Sequence, residues 1–152
     1  MVISLQLSWD ADRETGFVDK PRVIGITGAS GFVGRTLAEN LETVDGTQVR
    51  LFGRKAHETP DRRRIEPLKP SADLFSGVDS LVHLAGITDA RSPEQTLVEV
   101  NAALAASTLT AAISAGVRRF VLFSSLGVHG KVSAHPIRPD NAFAPVNAYG
   151  RS

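Results

Sequence analysis

Cysteine is absent from all 152 residues. That excludes a disulfide scaffold and any thiolate metal site, and it fits a cytoplasmic setting. An excess of one charge is lacking too. Seventeen basic and sixteen acidic residues leave a formal net charge of +1, which gives no reason to expect a nucleic-acid partner or a membrane surface. No apolar run approaches the roughly 18 residues expected of a bilayer span. The N-terminus has no basic start and meets Asp10 and Asp12 early, so no signal peptide is expected. The four histidines, His57, His83, His129 and His135, have no carboxylates beside them at ligand spacing, so no metal site is expected.

What is present is a globular composition, 42% hydrophobic and 22% charged, in a chain long enough for one domain with a real core. Residues 1–20 are the least legible. "VISLQLSW" alternates like a short strand but also suits a leader, and it is taken as a peripheral extension. From Arg22 the signals sharpen. "RVIGIT" is a β-rich run suited to a strand buried on both faces. "FVGRTLAENLETV" places Val33, Leu37, Leu41 and Val44 at helical spacing, and "DG" at 45–46 is expected to end that helix. "QVRLFGR" reads as a second strand and "KAHETPDRRR" as a loop. "RIEPL" reads as a short strand kept to an edge or an end by Pro67, and "DLFSG" as one helical turn at most. "SLVHLAG" (80–86) is a further buried strand. Residues 92–116 read as one long helix with Ser92 as cap, Pro93 in the first helical position and Gly116 as the stop. "VRRFVLFSS" is the next strand, with Arg118 and Arg119 solvated before it, and the remainder reads as loop.

Strands alternating with helices imply an α/β fold: a doubly wound parallel sheet with right-handed crossovers and helices on both faces. In it, "TGASGFVG" is the first strand-to-helix turn. Gly28 would make the turn, Gly31 would let a diphosphate approach the main chain, and Gly34 would let the helix pack on the sheet. Uncapped amides at Phe32 and Val33, with the Ser30 hydroxyl, suit an anion at the helix start. About 20 residues on, NAD-binding folds often place a carboxylate for the ribose 2′-hydroxyl. Here the second strand ends in Arg54 and Lys55, cations that suit a 2′-phosphate. NADP is therefore favoured, with NAD possible.

Taken in order, these motifs resemble the extended short-chain dehydrogenase/reductases, within the NAD-dependent epimerase/dehydratase group, over residues 22–152. "TGASGFVG" (27–34) matches the family's glycine motif. "GVDSLVHLAG" (77–86) is similar to its fourth-strand motif, where Leu84, Ala85 and Gly86 lie along the cofactor. "VNAALAASTLTAAISAGVRRFVLFSS" resembles the long helix with its characteristic Asn, here Asn101, and the next strand ending at Ser124. "SSLGVHG" (124–130) matches the segment of the catalytic Ser, here Ser125. "PVNAYGRS" matches the start of the YxxxK segment, with Tyr149 as the catalytic tyrosine. The stretch from Ser124 onward is most like bacterial nucleotide-sugar epimerases and 4-keto-reductases of surface-polysaccharide synthesis. Two positions depart from the pattern. His129 stands where many relatives have Tyr or Asn, and "IEPLKPSAD" has no clear match to the Asp that contacts adenine.

The resemblance implies hydride transfer at a sugar carbinol carbon. A free phenol ionises at about pH 10, and the family lowers this with the oxidised nicotinamide and a lysine four places after the tyrosine. Tyr149 would be the acid–base and Ser125 would hold the substrate oxygen. That lysine would be the next residue after Ser152. The chain is therefore read as the N-terminal part of a longer, homodimeric enzyme, with residues 21–152 an incomplete NAD(P)-binding domain and the sugar-binding domain absent. The piece itself is expected to be inactive, with apolar surface exposed where a following helix would pack. Two other readings stay open: an NADP-binding regulatory module without chemistry, and a structural domain whose glycines serve packing only.

Overall fold

A computed structural model describes residues 2–6, 21–89, 91–131, 136–138 and 140–152. The strands are β1 (Val2–Gln6), β2 (Arg22–Thr27), β3 (Thr47–Gly53), β4 (His57–Glu58), β5 (Arg64–Pro67), β6 (Ser80–His83) and β7 (Arg119–Phe123). The helices are α1 (Phe32–Leu41), α2 (Glu94–Leu97), α3 (Leu104–Ser114) and α4 (Ala148–Arg151). A π-helical segment, Val98–Ala103, joins α2 to α3, and a 3₁₀ turn spans Leu126–His129.

All seven strands form one sheet in the order β1-β7-β6-β2-β3-β5-β4. The middle five run parallel, and β1 and β4 are antiparallel edges. Chain order moves outward from β2 through β3 to β5, then returns to place β6 on the other side of β2. The sheet thus changes direction between β2 and β6, where an open α/β sheet leaves a crevice at its carboxyl ends. Successive residues point to opposite faces of a strand, and β3 shows the consequence. Leu51 joins Ile26, Ala38 and Ile65 in a core under α1. Its neighbour Phe52 joins Phe75, Leu81, Phe120 and Ala112 in a core under α3. Helices on both faces are what buried, unalternating strands require.

Asp79 gathers the amino ends of three strands. Its Oδ2 accepts from Val23 N at 2.8 Å, and its Oδ1 accepts from Arg118 at 2.9 Å. Its backbone bonds Val23 O and Arg118 N. Arg118 is therefore paired, not merely solvated. Arg50 holds the turn at residues 72–77 from below, donating to the carbonyls of Leu74 and Ser76 while pairing with Glu66.

Within the extension, Val2–Gln6 is the short strand its alternation suggested, at the periphery of the sheet and paired with β7; residues 7–20 lie outside the described residues. Several expectations need correction. α1 ends at Leu41, before the "DG" pair, and Val44 lies beyond it, half-exposed. What holds α1 to the sheet is small residues, Gly34 and Ala38, flanked by the partly buried Leu37 and Leu41. The "KAHETPDRRR" loop contains β4, which turns at residues 59–63 to pair with β5. Its Thr59 hydroxyl bonds Asp61 and accepts from Arg63 N. The long helix is not uniform. Pro93 is its N-cap at ψ 138°, and Ser92 makes no side-chain cap. The final stretch is not all loop, since it forms the 3₁₀ turn and α4. His57 lies in β4 and His129 in the 3₁₀ turn, while His135 is outside the described residues. Continuous helix from Glu94 to Ser114, 21 residues, is long and apolar enough to cross a membrane by length and composition, contrary to the expectation from apolar runs. One face of it, with Leu97, Thr108, Ala111 and Ala112, is buried on the sheet, as a core helix requires.

Replacing Asp79 with Ala strands the buried Val23 amide. The expected cost is about 1–3 kcal/mol, against less than about 1 kcal/mol for Arg118→Ala, whose ion pair is half-exposed. Urea denaturation of the two variants checks the difference.

Candidate active site

The glycine turn is set by sterics. Gly28 has φ +68°, and a Cβ there would stand 2.7 Å from Ala85 N and from the Leu84 carbonyl carbon. The first turn therefore lies directly on the main chain that leaves β6. A Cβ at Gly34 would meet Gly28 O at 2.4 Å, so α1 approaches the turn as closely as backbone allows. Gly31 is the N-cap of α1, with no side-chain cap. Its own amide is taken by Gly28 O, and the helix start around Phe32 and Val33, with no side-chain cap, is the kind of place that favours an anion. The Phe32 side chain is 81% exposed.

At the carboxyl ends of β6 and β7 lies a cleft of about 260 Å³. It draws together most of the residues singled out from the sequence: Val33, Leu84, Ala85, Gly86, Asn101, Ser124, Ser125 and Tyr149. Ser125 closes β7 and starts the 3₁₀ turn, its Oγ accepting from Gly127 N at 3.1 Å. Tyr149 sits in α4, whose N-cap Asn147 accepts from Gly150 N. The two segments meet through backbone, because a Cβ at Gly150 would lie 2.7 Å from Gly127 O. Glycine at 150 is thus what lets the tyrosine-bearing helix rest on the serine-bearing turn.

Asn101 is placed by the π-helical segment, an irregularity that recurs at functional sites. Its Oδ1 accepts from Ile87 N at 2.7 Å, and its Nδ2 donates to Ile87 O and to Ser152 Oγ. Ser152 Oγ in turn donates to Tyr149 O. Asn101 therefore clamps the segment after Gly86 to α4. Arg151 and Glu94 form a second tie, with Nε to Oε1 at 2.9 Å, and this hydrogen bond holds the Glu94 carboxyl below its usual range. Ser152, Gly150 and the Glu94–Arg151 pair escaped sequence reasoning because their partners lie about 50 residues away or across a backbone contact.

Ser30, by contrast, lines a second cavity of about 330 Å³ between α1 and the β4–β5 hairpin. Arg35, His57, Asp61 and Arg63 share it. Arg63 is engaged by Glu39, Glu42 and Asp61. Arg35, Arg54 and Lys55 have no ion-pair partner among the described residues. Arg54 and Lys55 are exposed just past β3 and line neither cavity.

The residues fit a dinucleotide. A cap-free helix start, a bare glycine turn and a strand-end main chain converge at the switch point. The other notable group is His83, 2% exposed, with Nδ1 at 2.9 Å from Thr27 Oγ1 and the ring stacked on Phe120. Burial pushes its imidazole down to about 4 from 6.5.

Two outcomes are expected. Gly28→Ala forces a left-handed residue against Leu84 and Ala85, costing at least about 2 kcal/mol in urea denaturation. For His83, the unfolded chain binds the proton first, so stability is full above pH 6.5 and falls toward pH 4. The loss is about 3 kcal/mol over that window. Urea midpoints at pH 7.5 and 4.5 measure it, and His83→Asn flattens the difference.

Comparison with known proteins agrees with this geometry. The model of the NAD dependent epimerase/dehydratase family matches residues 24–152. The chain is 30% identical over 150 residues to the UDP-glucose 4-epimerase of Vibrio cholerae, covering 91% of this chain and 46% of that protein. It is 35% identical over 117 residues to the ceramide reductase of Caulobacter vibrioides, covering 71% and 36%. A short-chain dehydrogenase/reductase superfamily protein from Agrobacterium tumefaciens, solved with bound NAD, superposes at TM-score 0.71 with 30% identity, over 86% of this chain and 41% of its own. The chain thus spans less than half the length of these relatives. With a glycine turn at the sheet's switch point, and serine and tyrosine segments meeting over one cleft, the chain belongs to the NAD-dependent epimerase/dehydratase family.

Proposed function

We propose that the protein of which these residues form the dinucleotide half is an oxidoreductase acting on a nucleotide sugar, as an epimerase or 4-keto-reductase. The observation that carries this reading is the single cleft that holds Ser125, Tyr149 and the Leu84–Gly86 main chain beside the glycine turn. When bound, the dinucleotide would supply the hydride acceptor. Tyr149 takes the proton of the sugar hydroxyl and returns it in the reverse direction. Ser125 donates to the substrate oxygen and keeps it near the phenol. Asn101, Ser152 and the Glu94–Arg151 pair hold α4, and so Tyr149, in place. Arg54 and Lys55 favour NADP. NAD remains the dinucleotide seen in a relative. Specificity for the sugar, the homodimer and a cytoplasmic setting belong to the same proposal, and the piece ending at Ser152 is proposed to be inactive by itself.

The test uses the full-length enzyme with NAD and NADP and a panel of nucleotide sugars. Tyr149→Phe and Ser125→Ala are expected to lower kcat by about 100-fold or more, with dinucleotide Kd unchanged. Arg54→Ala is expected to weaken NADP about tenfold more than NAD. Full activity in Tyr149→Phe, or no binding of either dinucleotide, rejects the proposal.

A further inference from the structure

Thr27 and His83 face each other at the carboxyl ends of adjacent parallel strands, β2 and β6. Both are fully buried. The Thr27 hydroxyl oxygen lies 3.2 Å from Leu84 N and 3.2 Å from Ala85 N, and each amide donates to it, the Leu84 amide sharing its hydrogen with the Thr27 carbonyl at 3.2 Å. A hydroxyl has two acceptor sites and one proton. With both acceptor sites engaged, its proton points to the one remaining partner, His83 Nδ1 at 2.9 Å. Nδ1 is therefore the acceptor, and the neutral ring carries its hydrogen on Nε2. That Nε2 is buried with no partner among the described residues.

This is an unusual arrangement for a space-filling side chain. An aliphatic residue would fill the same volume against Phe120 without a buried, orphaned donor. It would also leave the Thr27 proton without an acceptor and free the hydroxyl to turn away from the two amides. The segment these amides belong to is the wall of the cleft, and Gly28 lies against it at backbone distance.

We propose that His83 is a positioning residue: by accepting from Thr27 it locks that hydroxyl as a double acceptor, and so sets where the Leu84–Gly86 main chain meets the dinucleotide. The inference rests on the dinucleotide reading of the cleft. His83 itself lines the cleft, almost wholly buried, and acts through its neighbour.

The test compares His83→Leu, His83→Asn, Thr27→Val and Thr27→Ser in the full-length protein. Asn offers Oδ1 near the place of Nδ1, and Ser keeps the hydroxyl. His83→Leu and Thr27→Val are expected to raise the Kd for NAD or NADP about tenfold. They are also expected to speed amide hydrogen exchange at Leu84 and Ala85 by about the same factor. His83→Asn and Thr27→Ser are expected to stay within about threefold of the parent in both measurements. Nitrogen-15 imidazole shifts of the parent should show a neutral ring protonated on Nε2. Binding and exchange unchanged in His83→Leu, with only a lower melting temperature, would overturn the inference, as would a proton on Nδ1. If His83→Leu does not fold, the Thr27→Val and Thr27→Ser pair decides. If the parent binds neither dinucleotide, the proposed function falls, while exchange and tautomer still judge the hold of His83 on the loop.

Discussion

The close approach of two pieces of backbone, Gly28 on β2 and Leu84–Ala85 beyond β6, is the constraint on which the rest depends. These strands are neighbours only because the chain reverses its direction of growth at β2. At such a reversal an open α/β sheet leaves a crevice at the carboxyl ends of its strands, where a ligand can bind. Gly28 can press against the opposite main chain because it has no side chain and tolerates a left-handed backbone. The Thr27 hydroxyl ties the same two segments by hydrogen bonds. The turn and the wall are thus one rigid unit, and α1 and the cleft take their positions from it.

The candidate pair, Ser125 and Tyr149, depends on a second backbone contact of the same kind. Ser125 and Tyr149 are 24 positions apart, and the stretch between them crosses residues outside those described. Their segments are brought together where Gly127 O meets Gly150, and α4 is then tied down by Asn101 through Ser152 and by Glu94 through Arg151. Surface ion pairs contribute little stability, so the value of Glu94–Arg151 lies in orientation. The π-helical segment has a comparable role: it carries Asn101 to the main chain of Ile87, which it grips by both N–H and C=O.

The parallel core was legible because its strands are short β-rich runs that carry the buried residues of both cores. "RVIGIT", "QVRLFGR" and "VRRFVLFSS" each carry a short apolar stretch, residues 24–26, 51–53 and 120–122, that sits in the sheet. The glycine turn was legible for a related reason, since glycine spacing records where side chains are forbidden. Less legible were elements whose stability comes from partners far along the chain. β1 and β4 are short edges that depend on β7 and β5. α4 has four residues, far below the length at which a helix stands alone in water. Arg118 read as a surface charge because its partner, Asp79, is 39 residues away.

The amino-acid sequence by itself determined the alternation of strand and helix, the place of the glycine turn and the identity of the candidate serine and tyrosine. These are carried by local periodicity and by residue types that only certain backbones tolerate. Tertiary structure alone decided that Ser125, Tyr149 and the Leu84–Gly86 main chain share one cleft. It also decided that Asn101 acts as a clamp and that the His83 ring meets the Thr27 hydroxyl. Each of those depends on directions and distances between distant segments, which exist only once the sheet has closed around β2.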